Sequence, residues 1–459
     1  MASAPTYNPG VADRFQRACG GRRWALFVAV VLIAGLGLRM EHAIRAPNEP
    51  VYDARAYARI AHSVYAGEGF TQGPEAGRLH LQAATNYTPG LPLLVAGLYE
   101  VRGAADQKMA RIVLALLSSL AIPLAFFLGR RLGGPAAGAI AAVPVAVYPA
   151  LLEYSGMLMT EPLGTALLAA AVLAFLGAAE SSKPWSWAGA GLLLGALAML
   201  RPEYLLLIPA LLAILLWKRR DRGGRRERLA PAALMAGCAC LVILPWTARN
   251  LVVLDRFVPL STGGGQVLYQ GSYLPAGPDP ERIGPVFLAE HPWIRRELAP
   301  WPGPIYRGQA VALLAARRHP GENTDRALTE MAAQAYFDAA TEQPLELGGF
   351  LVGKVWHAWT APARGSMQSP AWRALQLSLL LAAAVGLAVG LARRRFDALA
   401  LAAILLTVTV VQATYIASPR RTLVLLPEIA ALAGLGVIWG FNRARDALER
   451  RAGDDSTPG

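Results

Sequence analysis

Apolar runs recur along the chain near residues 24–38, 110–129, 136–154, 162–179, 186–200, 204–217, 229–247, 372–391, 398–416 and 422–440. Each is close to the length a helix needs to cross a bilayer, about 17–25 residues. The pattern predicts an all-α polytopic membrane protein with about ten transmembrane helices. Two longer segments, 41–109 and 250–371, are more polar. Within the first, Ala54, Tyr57, Ile60–Ala61 and Val64–Tyr65 recur at helical spacing, predicting an amphipathic helix over 53–66 that stops at Gly67-Glu68-Gly69. Such a helix is expected to lie flat on the membrane surface. In the second segment, 325–341 and 345–359 read as helices of a small external cap. Gly191 and Gly195 are spaced for close helix packing, and Pro144 and Pro149 predict a kink in the third run.

Charge then fixes direction. The clusters Arg130–Arg131, Lys218 to Arg228, Arg393–Arg395 and Arg443 to Arg451 all fall on the side of the basic N-terminus, provided that Pro89–Val101 does not cross. The positive-inside rule therefore makes 89–101 an interfacial helix and both termini cytoplasmic. The expected organisation is a tail at 1–23 and spans one to seven over 24–249, with the external loop 41–109 inserted after the first. An external, mostly helical segment follows at 250–371, then spans eight to ten over 372–440 and a tail at 441–459. No small-residue cleavage site follows the first run, which reads as an uncleaved anchor. Composition agrees: 54% of residues are hydrophobic and 16% charged, against roughly 25% charged in soluble domains. The net charge of +13 is accounted for by arginine between spans, so nucleic-acid binding is not expected. Cys238 and Cys240 lie within an apolar run and read as small packing residues.

Some charges break the rule. Arg201, Arg249 and Arg420–Arg421 fall on the outer side, where arginine should be scarce. A charge at membrane depth costs about 2.5–3.5 kcal/mol on insertion scales, so something compensates for it. One reading is an ion pair, such as Arg201 with Glu203; the other is an anionic ligand, because guanidinium binds two phosphate oxygens in one plane. Two carboxylates share the face. Glu161 sits between Thr160, a helix-capping type, and Pro162, which suits a first turn; Asp53 opens the amphipathic helix. Capping alone explains either acid, but not their convergence with arginines. Tyr57, Arg78, Arg249 and Lys354, on the same expected face, are further candidates for contacting substrate. The histidines lack metal-ligand spacing and no phosphate-binding loop is present, so no cofactor is expected and a divalent metal is unsupported.

Several ordered stretches carry a resemblance: Tyr52-Asp53-Ala54-Arg55-Ala56-Tyr57 with Gly67-Glu68-Gly69-Phe70, and Tyr87-Thr88-Pro89-Gly90-Leu91-Pro92. Thr160-Glu161-Pro162-Leu163, Leu200-Arg201-Pro202-Glu203, Pro245-Trp246-Thr247-Ala248-Arg249-Asn250 and Ser418-Pro419-Arg420-Arg421 follow. Together they resemble the polytopic glycosyltransferases that use a polyprenyl-phosphate sugar donor, the GT-C superfamily of protein O-mannosyltransferases and the lipid A aminoarabinose transferase. The resemblance implies transfer of a sugar, with inversion, to a lipid, polysaccharide or protein acceptor on the outer face of the inner membrane. It makes Asp53 the catalytic base, Glu161 a second acidic site residue, and Arg201 with Arg420 or Arg421 the binders of the donor phosphate. Asp53-Ala54 stands where relatives carry an Asp-Glu pair, which departs from any metal-assisted pattern. A lipid-linked glycan polymerase or ligase, or a flippase, is the alternative; a flippase predicts charges at the bilayer midplane, and here they sit at the outer edge.

Overall fold

The structure, a computed structural model, describes residues 11–454 apart from 48–52, 72–85, 182, 222–223, 300–304 and 306. Every regular element among them is helical. The chain runs through α1 (Val11–Arg45), α2 (Asp53–Tyr65), α3 (Gly90–Arg102), α4 (Gln107–Ser119), α5 (Ala121–Gly133), α6 (Pro135–Val147) and α7 (Pro149–Ser155). It continues through α8 (Thr160–Ala178), α9 (Pro184–Leu200), α10 (Leu207–Lys218) and α11 (Arg225–Leu254). A cap follows, of α12 (Gly264–Gly271), α13 (Ile283–Glu290), α14 (Pro292–Glu297), α15 (Arg307–Arg318), α16 (Thr324–Glu342) and α17 (Pro344–Thr360). The last helices are α18 (Pro370–Ala392), α19 (Phe396–Thr414), α20 (Pro419–Leu423) and α21 (Leu426–Asp454).

Six described stretches are long and apolar enough to cross a membrane, seven if the bent pair α6–α7 counts as one, which makes the protein multi-pass. Here α4 and α5 run as one stretch of 27 residues. Three of the expected ten runs form shorter or interrupted helices instead. Residues 186–200 lie in the 17-residue α9. The run at 204–217 is split between a 3-10 turn at Pro202–Leu206 and the 12-residue α10. The run at 422–440 starts on the five-residue α20 and continues in α21. The amphipathic segment forms α2 as expected, and its buried side is broader than the predicted stripe, including Ala56, Ala58 and Ser63.

Buried polar groups explain the bends. The α6–α7 pair turns by 51° at Tyr148. Pro149 has no N–H to give to the carbonyl four residues earlier. Arg39, 1% exposed, supplies the missing donors to Val145 O at 2.6 Å and Ala146 O at 3.1 Å. Arg39 thus lies inside α1 and not at its end, as the apolar run implied. The core centres on the first half of α21, where Ile429 to Ala433 are all buried, as befits a helix that is apolar all round. Close approach needs glycine: a Cβ at Gly386 of α18 would stand 1.9 Å from Leu432 O. At Gly191 of α9 it would stand 2.2 Å from Met235 O of α11, so this glycine does serve helix packing. Cys238 packs at that same contact, whereas Cys240 faces outward.

The cap has its own apolar core around Phe287, Ile294, Leu314 and Leu328. It is stitched to the segment that follows α19. The Tyr336 hydroxyl of α16, with one proton to donate, lies between two carbonyl acceptors, Gly271 O at 2.9 Å and Thr414 O. Lys354 of α17, 2% exposed, donates to Gly271 O at 2.6 Å and to the Tyr336 hydroxyl at 3.2 Å. Ile416 N donates to Val267 O at 3.2 Å. Burial, with Arg421 adding repulsion, pushes the Lys354 amine from its ordinary 10.5 down to about 7.

Two outcomes test these contacts. Gly386→Ala is expected to destabilise the protein by about 1–3 kcal/mol through overpacking, although alanine is the better helix former. Gly440→Ala, at a site open to 4 Å, is expected to be neutral or stabilising; thermal unfolding in detergent distinguishes the two. For Lys354, the unfolded chain binds a proton below pH 10.5 and the folded chain only below about 7. Stability should therefore rise with pH across that window, and Lys354→Met should flatten the rise.

Candidate active site

Four helix ends meet on one side of the bundle, and in two of them proline sets the local backbone. A residue before proline is driven out of the helical region. Arg201 precedes Pro202 and is extended (φ −149°, ψ 118°), so α9 ends there. Ser418 precedes Pro419 and adopts φ −150°, ψ 117°, which starts α20 with Arg420 and Arg421 in its first turn. Met159 is extended before Thr160-Glu161-Pro162, and Glu161 lies in the first turn of α8. Thr160 is the first helical residue and makes no cap hydrogen bond, so the capping role expected for it is not the one it takes. Asp53 is the first residue of α2.

These ends deliver six charged side chains that pair alternately. Arg420 Nη1 donates to Asp53 Oδ2 at 2.9 Å and its Nε to Glu161 Oε1 at 2.7 Å. Arg201 Nη1 lies 3.3 Å from the same Glu161 oxygen, and Arg201 Nε donates to Glu203 Oε1 at 2.8 Å. Arg421 Nε closes the series at 3.6 Å from Glu203 Oε1. The order is Asp53, Arg420, Glu161, Arg201, Glu203, Arg421: acid and base alternate and the formal charges cancel. Of the two sequence readings of Arg201, the ion pair with Glu203 is present, and the same side chain also lines a cavity. Burial would raise the Glu203 carboxyl, but Arg201 and Arg421 outweigh it and hold the group below its ordinary value. Glu161 is fully buried and its Oε2 has no partner among the described residues.

A cavity of about 680 Å³ opens over this series and is lined by Asp53, Tyr57, Arg201, Glu203, Arg420 and Arg421, with Asp279, Glu281 and Arg307 of the cap on the other wall. Burial and the Asp53 carboxylate raise the Tyr57 phenol, so it stays a neutral hydroxyl. A second, apolar groove of about 690 Å³ lies between α17, α18 and α19, lined by Val352, Trp356, Trp359, Leu377, Leu381 and Ala413. Thr360 lines that groove directly before Ala361, which lines the charged cavity.

The remaining candidates are placed differently. Arg249 is not among the cavity-lining residues: α11 carries it over the Trp246 ring at 4.7 Å and the Phe70 ring at 5.7 Å, with Nη1 donating to Asn250. Lys354 lies in the cap clasp and not on the cavity wall. Arg78 falls outside the described residues. Sequence reading missed Gln412, which is fully buried. Its amide accepts from Ser418 N at 2.9 Å and donates to Ser418 O at 2.6 Å, and so fixes the entrance to α20, which bears the arginines. Tyr154 was missed too; its ring lies 5.8 Å from the Arg420 guanidinium and 5.2 Å from that of Arg364. A glutamine inside an apolar run was the available signal for the first. Among the described residues, no three His, Cys, Asp or Glu are grouped to hold a metal ion.

Residues 86–247 match the family described as dolichyl-phosphate-mannose-protein mannosyltransferase. No curated protein sequence matches the chain. Among solved structures it is similar to the archaeal oligosaccharyltransferase AglB from Archaeoglobus fulgidus in complex with an inhibitory peptide and a dolichol-phosphate. The TM-score is 0.56 at 15% identity, over 93% of this chain and 52% of that one. The apo oligosaccharyltransferase of the same organism gives 0.55 at 14% identity, over 94% and 52%. Its complex with Zn and sulfate gives 0.54 at 15%, over 90% and 49%. The chain thus spans about half the length of these relatives. The matched segment and the structural likeness show that the chain shares the helical fold of these membrane proteins.

Proposed function

We propose that the protein is a membrane glycosyltransferase that moves a sugar from a polyprenyl-phosphate donor to an acceptor hydroxyl on the external face, with both termini cytoplasmic. The observation that carries this reading is the single cavity into which Asp53 and the arginines 201, 420 and 421 converge beside an apolar groove. Acid and cation together match the two demands of the reaction: a base for the acceptor and fixed positive charge for the departing phosphate. The groove between α17 and α18 suits an isoprenoid tail, and Trp356 and Trp359 give it flat apolar walls. A dolichol-phosphate and an inhibitory peptide on the archaeal relative fit the same class of donor and leave lipid, polysaccharide or protein open as acceptor.

In this mechanism the acceptor oxygen attacks the anomeric carbon as the bond from that carbon to the phosphate oxygen breaks. The acceptor proton passes to Asp53 and the electron pair leaves with the phosphate. Asp53 is suited to this because Arg420 holds only its Oδ2 while the side chain stays 43% exposed. Glu161 orients the sugar or its neighbours, and Arg201 with Arg420 and Arg421 receives the phosphate. Tyr57 is a neutral hydrogen-bonding contact at the cavity wall. Arg78, Arg249 and Lys354 remain proposals for a wider substrate surface. One displacement by one base inverts the anomeric configuration.

Incubating purified protein with a panel of polyprenyl-phosphate sugars should release lipid phosphate from one of them. Asp53→Asn is expected to lower transfer by about 10²–10⁴-fold, and Arg201→Ala to abolish it, with both variants monodisperse on gel filtration. Near-normal turnover in Asp53→Asn overturns the assignment of the base.

A further inference from the structure

Two carboxylates in one site, contributed by different helices and facing the same point, need a positive charge between them. Here that point is occupied by a side chain. Arg420 reaches Asp53 Oδ2 of α2 and Glu161 Oε1 of α8 with two separate nitrogens, at 2.9 and 2.7 Å. We propose that the Arg420 guanidinium takes the place a divalent cation would hold between Asp53 and Glu161, so that transfer proceeds without a metal ion and removing the side chain opens a divalent-cation site.

The arrangement is built and not incidental. Gln412 fixes both backbone polar groups of Ser418, two residues before Arg420, and Pro419 sets the turn between them. The Tyr154 ring stands beside the guanidinium. Asp53 and Glu161 are oxygen ligands of the kind that hard cations such as Mg²⁺ and Mn²⁺ accept. Glu161 Oε2, buried and without a partner among the described residues, is a further oxygen at the same point. A metal does not fit while Arg420 is present, because the two facing oxygens already accept hydrogen bonds from it and a second positive centre would stand against a fixed one. The guanidinium also differs from a metal in what it offers: its charge does not dissociate and it polarises no bound water. Its Nη2 carries no hydrogen bond among the described residues, so one donor stays available for a ligand oxygen.

The part of this inference that concerns transfer rests on the proposed reaction; the part that concerns cation binding does not. The test therefore has two arms on the full-length protein in detergent. In the first, wild-type protein is treated with EDTA and assayed for release of lipid phosphate. The expected rate is that of untreated protein; loss of transfer on chelation and its return with Mn²⁺ overturn the proposal. In the second, Mn²⁺ is titrated against wild type, Arg420→Ala and the Asp53→Asn/Arg420→Ala double variant, read by melting temperature and by the electron paramagnetic resonance signal of bound Mn²⁺. Binding linked to folding should raise the melting temperature of Arg420→Ala with increasing Mn²⁺, and leave wild type and the double variant unmoved. No binding by a monodisperse Arg420→Ala, or equal binding by wild type, overturns it. If Arg420→Ala does not fold, the chelation arm decides. If no donor is turned over at all, the proposed function fails while the Mn²⁺ titration still judges the site.

Discussion

The alternating series of three carboxylates and three guanidinium groups is the constraint around which one end of this bundle is arranged. A charge taken out of water is costly by several kcal/mol unless a partner stands within hydrogen-bond reach. Glu161 is fully buried and is therefore tolerable only because Arg420 and Arg201 both reach it. That requirement dictates where helices stop. α9 ends at Arg201, α20 begins one residue before Arg420, and α8 and α2 begin at or just before an acid. Proline after Arg201 and after Ser418 makes two of these ends obligatory, since the preceding residue cannot remain helical. The cost of assembling so many charges is spread over four elements that are far apart in sequence.

The cap contributes by holding the one element that has no long helix of its own. α20 is five residues long and cannot position arginines unaided. Gln412 grips its entrance from α19, while Tyr336 and Lys354 draw the preceding segment against α12. A Cβ on Gly271 would stand 2.4 Å from the Tyr415 carbonyl carbon, so only glycine allows the cap backbone to come this near. The charged wall and the cap wall of the cavity are in this way parts of one hydrogen-bonded assembly.

Much of this was legible in the sequence, and the reasons for the rest are specific. Helix α2 was readable because its apolar residues recur at helical spacing; α16 and α17 were readable from position and length. Arg201, Arg420 and Arg421 were singled out as charges where the membrane pattern makes arginine scarce, and Asp53 and Glu161 because they share that face and match the resemblance. Glu203 was visible only as a neighbour of Arg201; that it also faces Arg421 depends on how α20 comes to lie beside the turn at Pro202–Leu206. Gln412 and Tyr154 carry no charge anomaly, and their roles exist only in three dimensions. Arg39 marked the end of an apolar run, yet its position is set by carbonyls that Pro149 leaves unserved on another helix. Arg249 satisfied the same rule as Arg201 but α11 is unbroken past it, so it faces two aromatic rings on the bundle's flank.

Because the six charges sum to zero, the resting cavity is not a reservoir of spare positive potential. On the proposed reaction, an arriving phosphate would find Arg420 Nη2 uncommitted and would have to share the other donors with Asp53, Glu161 or Glu203. Recognition is then an exchange of partners within a closed set. On the same proposal, the acid that yields its guanidinium would become more basic as the anion arrives, tying the readiness of the proton acceptor to occupancy of the phosphate side.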